Sequence, residues 1–186
     1  TGGQGEGTYY AEYRVNSTAN AVGDIINVSC TVTESGGCPV ITTEGTTTLT
    51  NNEVGAPNAV TDVTGITQAC IIIASNNVDL SCEGYNITND GTADATGVVI
   101  NGSTITDDTN VTIRDCPLVS GYEKGIYIFN SNQGVITNTS VYNNTEYGIF
   151  INSSLDVNVT YTDSYNNTEY GINIELSNNT RVADTR

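Results

Sequence analysis

Short alternating runs dominate the chain. Tyr9, Ala11, Tyr13 and Val15 alternate with Thr8, Tyr10, Glu12 and Arg14. Ile26, Val28, Cys30 and Val32 alternate in the same way with Asn27, Ser29 and Thr31. A period of two turns one face of a strand to a core and the other to water, so both segments are predicted strands. From Cys38 onward the apolar runs are shorter and recur. Cys38-Pro39-Val40-Ile41, Cys70-Ile71-Ile72-Ile73 and Gly97-Val98-Val99-Ile100 each lead through a polar turn into a second short run. Those second runs are Thr46–Thr50, Val78-Asp79-Leu80 and Val111-Thr112-Ile113.

The recurrence becomes strict near the C-terminus. Asn-Asn-Thr-Glu-Tyr-Gly-Ile occurs at 143–149 and again at 166–172, 23 residues apart. Gly125-Ile126-Tyr127-Ile128, Gly148-Ile149-Phe150-Ile151 and Gly171-Ile172-Asn173-Ile174 keep that spacing. Ile136, Val159 and Val182 keep it too, as do Ser131, Ser154 and Ser177. A period of this length marks a solenoid, one repeat per turn of the stack. Twenty-three residues hold three short strands and three turns but no helix of ordinary length. The predicted fold is therefore all-β: a right-handed parallel β-helix of about five coils over 38–186, preceded by an arm or cap of strands over 1–37.

Coil starts at Ala69, Gly97, Gly125, Gly148 and Gly171 give intervals of 28, 28, 23 and 23 residues, so the early coils carry insertions. Asn51–Thr64 is expected to project as a loop. Alternation places Ile72, Val78, Leu80, Val98, Ile100, Val111, Ile113, Ile126 and Ile128 inside. It does the same for Ile136, Ile149, Ile151, Val159, Ile172, Ile174 and Val182. Gly125, Gly148 and Gly171 are expected at tight corners with unusual backbone angles.

Three segments carry a family resemblance: Cys70-Ile-Ile-Ile-Ala-Ser-Asn-Asn-Val-Asp-Leu-Ser-Cys82, Asn110-Val-Thr-Ile-Arg-Asp-Cys116, and the Asn-Asn-Thr-Glu-Tyr-Gly-Ile coils. Together they resemble the pectate-lyase-like superfamily of parallel β-helices, and within it the short-coil NosD-like repeats of archaeal and bacterial surface proteins. The resemblance implies the fold over Cys38–Arg186. It leaves function open, because that superfamily hosts lyases, hydrolases, epimerases, adhesins and structural proteins.

Charge narrows the partners. Twenty-one acidic residues against five basic ones give a net charge of −16. Nucleic acid and anionic membranes both need a basic face, so neither is expected. No apolar run, including the one through Cys70–Ala74, is long enough to span a bilayer. The chain has no Met, Trp or His and begins at Thr1, which fits a mature protein whose leader has been removed.

Cys30, Cys38, Cys70, Cys82 and Cys116 form no C-x-x-C pair and have no His to complete a zinc site. Disulfides in an oxidising compartment are the better reading. Cys38 and Cys70 each open a coil; Cys82 and Cys116 each follow a Val-x-Leu/Ile strand. The expected bridges are Cys38–Cys70 and Cys82–Cys116, with Cys30 left over and Cys30–Cys38 as the competitor.

The one compact charged constellation is Arg114 with Asp107, Asp108 and Asp115. It could hold a cation or polarise a uronic acid, but solvated loop residues explain it as well. With no His for acid–base work near neutrality and few coils for a sugar-binding groove, an enzyme is not expected. A polysaccharide lyase or hydrolase is the least favoured reading. No cofactor or metal site is expected.

Glycosylation leaves a stronger signal. Asn-x-Ser/Thr occurs at Asn16, Asn27, Asn86, Asn101, Asn110, Asn138, Asn143, Asn152, Asn158, Asn166 and Asn178. Chance placement of 24 asparagines and 42 serines and threonines gives about five. Covalent N-glycans are expected at most of these positions in a secreted or cell-surface protein. Asn143 and Asn166 stand equally well as an inward asparagine ladder.

An apolar edge at Ile172, Ile174, Leu176 and Val182, together with the spare strand carrying Tyr9, Tyr13 and Val15, suggests head-to-tail assembly. The expected protein is thus a secreted, glycosylated subunit of a homopolymeric filament or sheath. The alternative is a carbohydrate-binding or adhesin module of a larger surface protein, with surface glycans as partner.

Overall fold

The computed structural model describes residues 37–104 and 109–186. Apart from Asn58–Ala59, the strands pair in parallel from one coil to the next. The first sheet stacks Val40–Ile41, Gln68–Ile73, Ala95–Asn101, Lys124–Phe129, Tyr147–Asn152 and Tyr170–Glu175. The second stacks Gly45–Thr48, Val78–Ser81, Thr112–Arg114, Val135–Thr137, Asn158–Thr160 and Arg181–Ala183. Glu53–Val54, Ile87–Thr88, Val119–Ser120, Ser140–Tyr142 and Asp163–Tyr165 form the third. The chain visits the three sheets in turn, and this is the right-handed parallel β-helix expected from the repeat. Its first two sheets have six parallel levels rather than about five coils, because Val40–Thr48 already supplies one. The two strands expected before Cys38 lie outside the described residues.

Like side chains stack on like. Ile71, Val98, Ile126, Ile149 and Ile172 share one register position of the first sheet. Ile41, Ile73, Ile100, Ile128, Ile151 and Ile174 share another. Leu80, Ile113, Ile136, Val159 and Val182 do so in the second sheet. Apart from Ile172, Ile174 and Val182, these residues are buried in one continuous core. Each fully buried Ile or Val stabilises the fold by roughly 1.5–3 kcal/mol relative to exposure. The register aligns Ala69 with Thr96, so the equivalent of Gly97 is Cys70, one residue beyond the expected coil start.

Ile72 points the other way from expectation. It shares an outward column with Val40, Val99, Tyr127, Phe150 and Asn173. It is nevertheless buried, because Val63 and Ile66 pack onto Ile72, Val99, Tyr127 and Phe150 as a second cluster. The segment expected to project as a loop therefore does not. Glu53–Val54 belongs to the third sheet, Asn58–Ala59 pairs antiparallel with Gln68–Ala69, and the residues that follow form a strap over the outer face. Tyr127 donates its phenolic O–H to the Thr64 carbonyl at 3.3 Å. Lys124, 5 % exposed, reaches the Gly65 carbonyl at 3.4 Å while its ammonium is paired with Glu123 and Glu146. Burial opposes its charge, but the two carboxylates outweigh that and raise its pKa.

Space, rather than backbone angle, requires the repeated glycines. None of Gly125, Gly148 and Gly171 has a positive φ. A Cβ on Gly148 would lie 2.1 Å from Ser164 Oγ, and one on Gly125 would lie 2.3 Å from Val141 Cγ1. The left-handed corners fall mostly to other residues, among them Asn77, Asn110, Asn138, Asn143, Asn166 and Asn179. Asn tolerates that conformation best among residues with a side chain, so a solenoid with several corners per coil is rich in it.

An asparagine ladder does line the interior, one residue beyond the expected Asn143 and Asn166. Asn144, 1 % exposed, accepts from the Tyr122 N–H at 3.1 Å, and Asn167 Oδ1 accepts from the Asn144 N–H at 3.1 Å. Asn144 Nδ2 also donates to Asn167 Oδ1 at 3.0 Å. A serine ladder runs beside the core, in which Ser131 N–H donates to Ser154 Oγ at 3.1 Å and Ser154 N–H to Ser177 Oγ at 3.0 Å. These bonds satisfy backbone donors that the turns would otherwise bury unpaired.

Candidate functional site

Two disulfides fasten the early coils. Cys38 is bonded to Cys70 and Cys82 to Cys116, each joining adjacent levels. Cys30 lies outside the described residues. Among those residues, no helix is long and apolar enough to cross a membrane.

The expected charged constellation is rearranged. Asp107 and Asp108 lie outside the described residues. Arg114 instead binds Asp79 in the coil below, Nε–Oδ1 at 2.9 Å and Nη2–Oδ2 at 3.1 Å, and also Asp115 at 2.6 Å. Asp79 was missed because it stands 35 residues away, and only the register of Ser81 with Arg114 brings it near. The bonds that the guanidinium donates to Asp79, then to Asp115, raise its pKa. Asp115 is held below its ordinary value by a hydrogen bond from Asn138 and then by Arg114. One guanidinium thus serves two carboxylates, and both of its partners are tied into the coil. Among the described residues, no group of three potential ligands is placed to hold a metal.

The sequons divide by exposure. Asn110, Asn138, Asn143, Asn166 and Asn178 are exposed, while Asn86, Asn152 and Asn158 are half-buried. Asn101 is 4 % exposed, and its amide oxygen accepts from the backbone and hydroxyl of Ser103. The folded chain does not offer it. Asn16 and Asn27 lie outside the described residues. Asn110, Asn138, Asn143 and Asn166 all sit at left-handed corners, with φ of 40°, 49°, 57° and 53°. Corner geometry alone thus accounts for part of the excess of asparagine.

The assembly residues of the last coil lie on one edge. Ile174 is 42 % exposed, Leu176 85 % and Val182 40 %. Their register partners Ile151 and Val159 are fully buried. Among the described residues the last level has a neighbour on one side only, and the difference comes from that. Tyr9, Tyr13 and Val15 lie outside the described residues.

This geometry agrees with a family whose model matches the sequence. The family model described as "Right handed beta helix region" covers residues 41–185, and the chain belongs to that family. No curated protein and no solved structure matches the chain.

Proposed function

We propose that the chain is a structural protein of the cell exterior, glycosylated and assembling end to end into a filament or sheath. The observation that carries this reading is the exposed edge formed by Tyr170–Glu175 and Arg181–Ala183. It presents Ile174, Leu176 and Val182 beside strand backbone that, among the described residues, is paired on one side only. A strand from a second copy satisfies such an edge, and apolar burial drives the contact at roughly 25 cal/mol per Å². Two disulfides and five exposed sequon asparagines support an oxidising, extracellular setting. The arm carrying Tyr9, Tyr13 and Val15 is the proposed donor strand.

Electron microscopy and sedimentation of the purified protein test the reading. Filaments are expected for the unaltered chain and monomers for Ile174→Lys or for deletion of residues 1–15. A chain that stays monomeric at high concentration overturns the assembly. Intact mass before and after deglycosylation tests the glycans, with mass lost from the exposed sequons and none from Asn101.

A further inference from the structure

Among the described sequon asparagines only Asn101 is buried, and the strap over the outer face lies against it. Its amide nitrogen, the atom that would carry a glycan, donates to the Thr61 carbonyl at 3.4 Å. The Ser103 hydroxyl completes the sequon. It lies 2.5 Å from Asn101 Oδ1 and 3.4 Å from the Asp62 carbonyl. Both groups that a glycosyl transferase must engage are therefore turned to the strap.

The strap is anchored at its base and lightly held at its tip. At the base, Asn58–Ala59 pairs with Gln68–Ala69, and the Val60 N–H donates to the Thr67 carbonyl at 2.9 Å. Asn58 Nδ2 donates to the Cys38 carbonyl at 2.8 Å, beside the first disulfide. At the tip, the carbonyls of Thr61, Asp62, Thr64 and Gly65 accept from the side chains of Asn101, Ser103, Tyr127 and Lys124, all at 3.3–3.4 Å. Between Thr61 and Ile66 only Val63 and Ile66 are buried. Among the described residues, no backbone bond joins the tip to the sheet beneath. Water can replace every polar bond of the tip when it lifts, and no strand ladder is broken. A segment with so few buried contacts opens locally, without unfolding the coils.

We propose that the strap gates N-glycosylation of Asn101. Closed, it masks the sequon; lifted, it yields an acceptor whose glycan then blocks reclosure. The proposal rests on the glycosylation reading in one respect only, that a transferase meets the chain. In the transfer, Asn101 Nδ2 bonds to the anomeric carbon of a lipid-diphosphate-linked saccharide. The bond from that carbon to the phosphate oxygen breaks, the lipid diphosphate leaves with the electron pair, and the amide proton passes to a base of the transferase. A saccharide on Nδ2 takes the place of the Thr61 carbonyl. The tip cannot return, and Ile72, Val99, Tyr127 and Phe150 stay uncovered. Exposed sequons such as Asn138 have no such gate. A glycan on Asn101 thus records that a chain was modified before its strap closed.

The test is glycosylation in vitro of the full, folded, sugar-free chain by a purified oligosaccharyltransferase with a lipid-linked saccharide, read by peptide mass. Rates are set against those of the reduced, unfolded chain, in which every sequon is open. This assay is independent of the glycans that the native protein carries, which its intact mass tests separately. Asn101 of the folded chain is expected to react about tenfold or more below its unfolded rate, with Asn138 far less slowed. Val63→Asp combined with Ile66→Asp is expected to bring Asn101 close to its unfolded rate while both disulfides and cooperative melting persist. Tetranitromethane should nitrate Tyr127 in that variant and spare it in the unaltered chain, where it is fully buried. Should the double variant fail to fold, Ile66→Ser is expected to change both readouts in the same direction by less. The proposal is overturned if Asn101 reacts as fast in the unaltered folded chain as in the unfolded one. It is equally overturned if a folded strap variant leaves Asn101 slow or Tyr127 protected.

Discussion

The early coils and the late coils solve one problem in two ways. Each level must be held in register on the level below. From Tyr122 to Arg186 the repeat is a constant 23 residues, and the same bond can recur at every level. Asn144 and Asn167 repeat it, as do Ser131, Ser154 and Ser177. Before that the coil length varies, so no side chain recurs at a fixed interval. There the register is fixed by two disulfides and by the strap of Val63 and Ile66 over the outer face. Regularity allows polar ladders, and irregularity calls for cross-links.

That contrast can be broken from either side. The largest effect is expected from Cys82→Ala combined with Cys116→Ala. Opening a loop of 34 residues should cost about 4 kcal/mol. Hydrogen exchange should rise mainly between residues 38 and 116, and equal loss throughout would show that the coils unfold as one unit. Next is Asn144→Ala, which strips the Tyr122 N–H of its buried acceptor and should cost about 2 kcal/mol by denaturant unfolding. Gly148→Ala should cost a similar ~2 kcal/mol through the clash with Ser164. Neither change should alter the disulfides.

A smaller effect concerns pH. Glu53 faces the interior of the first level, 6 % exposed, with one carboxylate oxygen unpartnered, and burial raises its pKa. A raised carboxyl pKa gives stability that is complete below the ordinary value of about 4.5 and lost as pH climbs through the folded-state value. Asp163 has the opposite sign: Arg186 lowers its pKa, so its contribution is present above about 3.8 and lost on acidification. Glu53→Gln should therefore raise the melting temperature at pH 7 and flatten its fall above pH 4.5. The smallest effect is expected at Leu176, which has a φ of +48° and is 85 % exposed. Leu176→Asn should add about 1 kcal/mol to the monomer by relieving that corner. If the assembly reading holds, the same change weakens filaments.

The repeat made the fold legible, and it also set the limits of what could be read. Where 23 residues recur, Ile126, Ile149 and Ile172 fall in one column as expected. Where three isoleucines follow one another at 71–73, alternation gives no phase. Ile72 was assigned inward because the strap that buries its outward face comes from residues 60–66, which carry no repeat signal. The asparagine ladder was legible as chemistry but not in position. Asn143 and Asn144 are adjacent and identical, and only the left-handed φ at 143 decides which turns inward. The glycines were visible as a column, yet their cause lies in Val141 and Ser164 across the interior, beyond the reach of local pattern. The Asp79–Arg114 pair depends on a register that variable coil lengths conceal.

The two disulfides also bear on how the molecule answers mechanical load. Pulled apart along its axis, a solenoid yields by peeling coils from an end. From Pro117 onward nothing covalent resists peeling, whereas the loops of 32 and 34 residues closed by Cys38–Cys70 and Cys82–Cys116 stay shut. Fully extended, those loops store roughly 220 Å of chain at about 3.4 Å per residue. That slack is out of reach of tension until the bridges are reduced. The late coils are therefore extensible, and the early ones inelastic until the bridges are reduced.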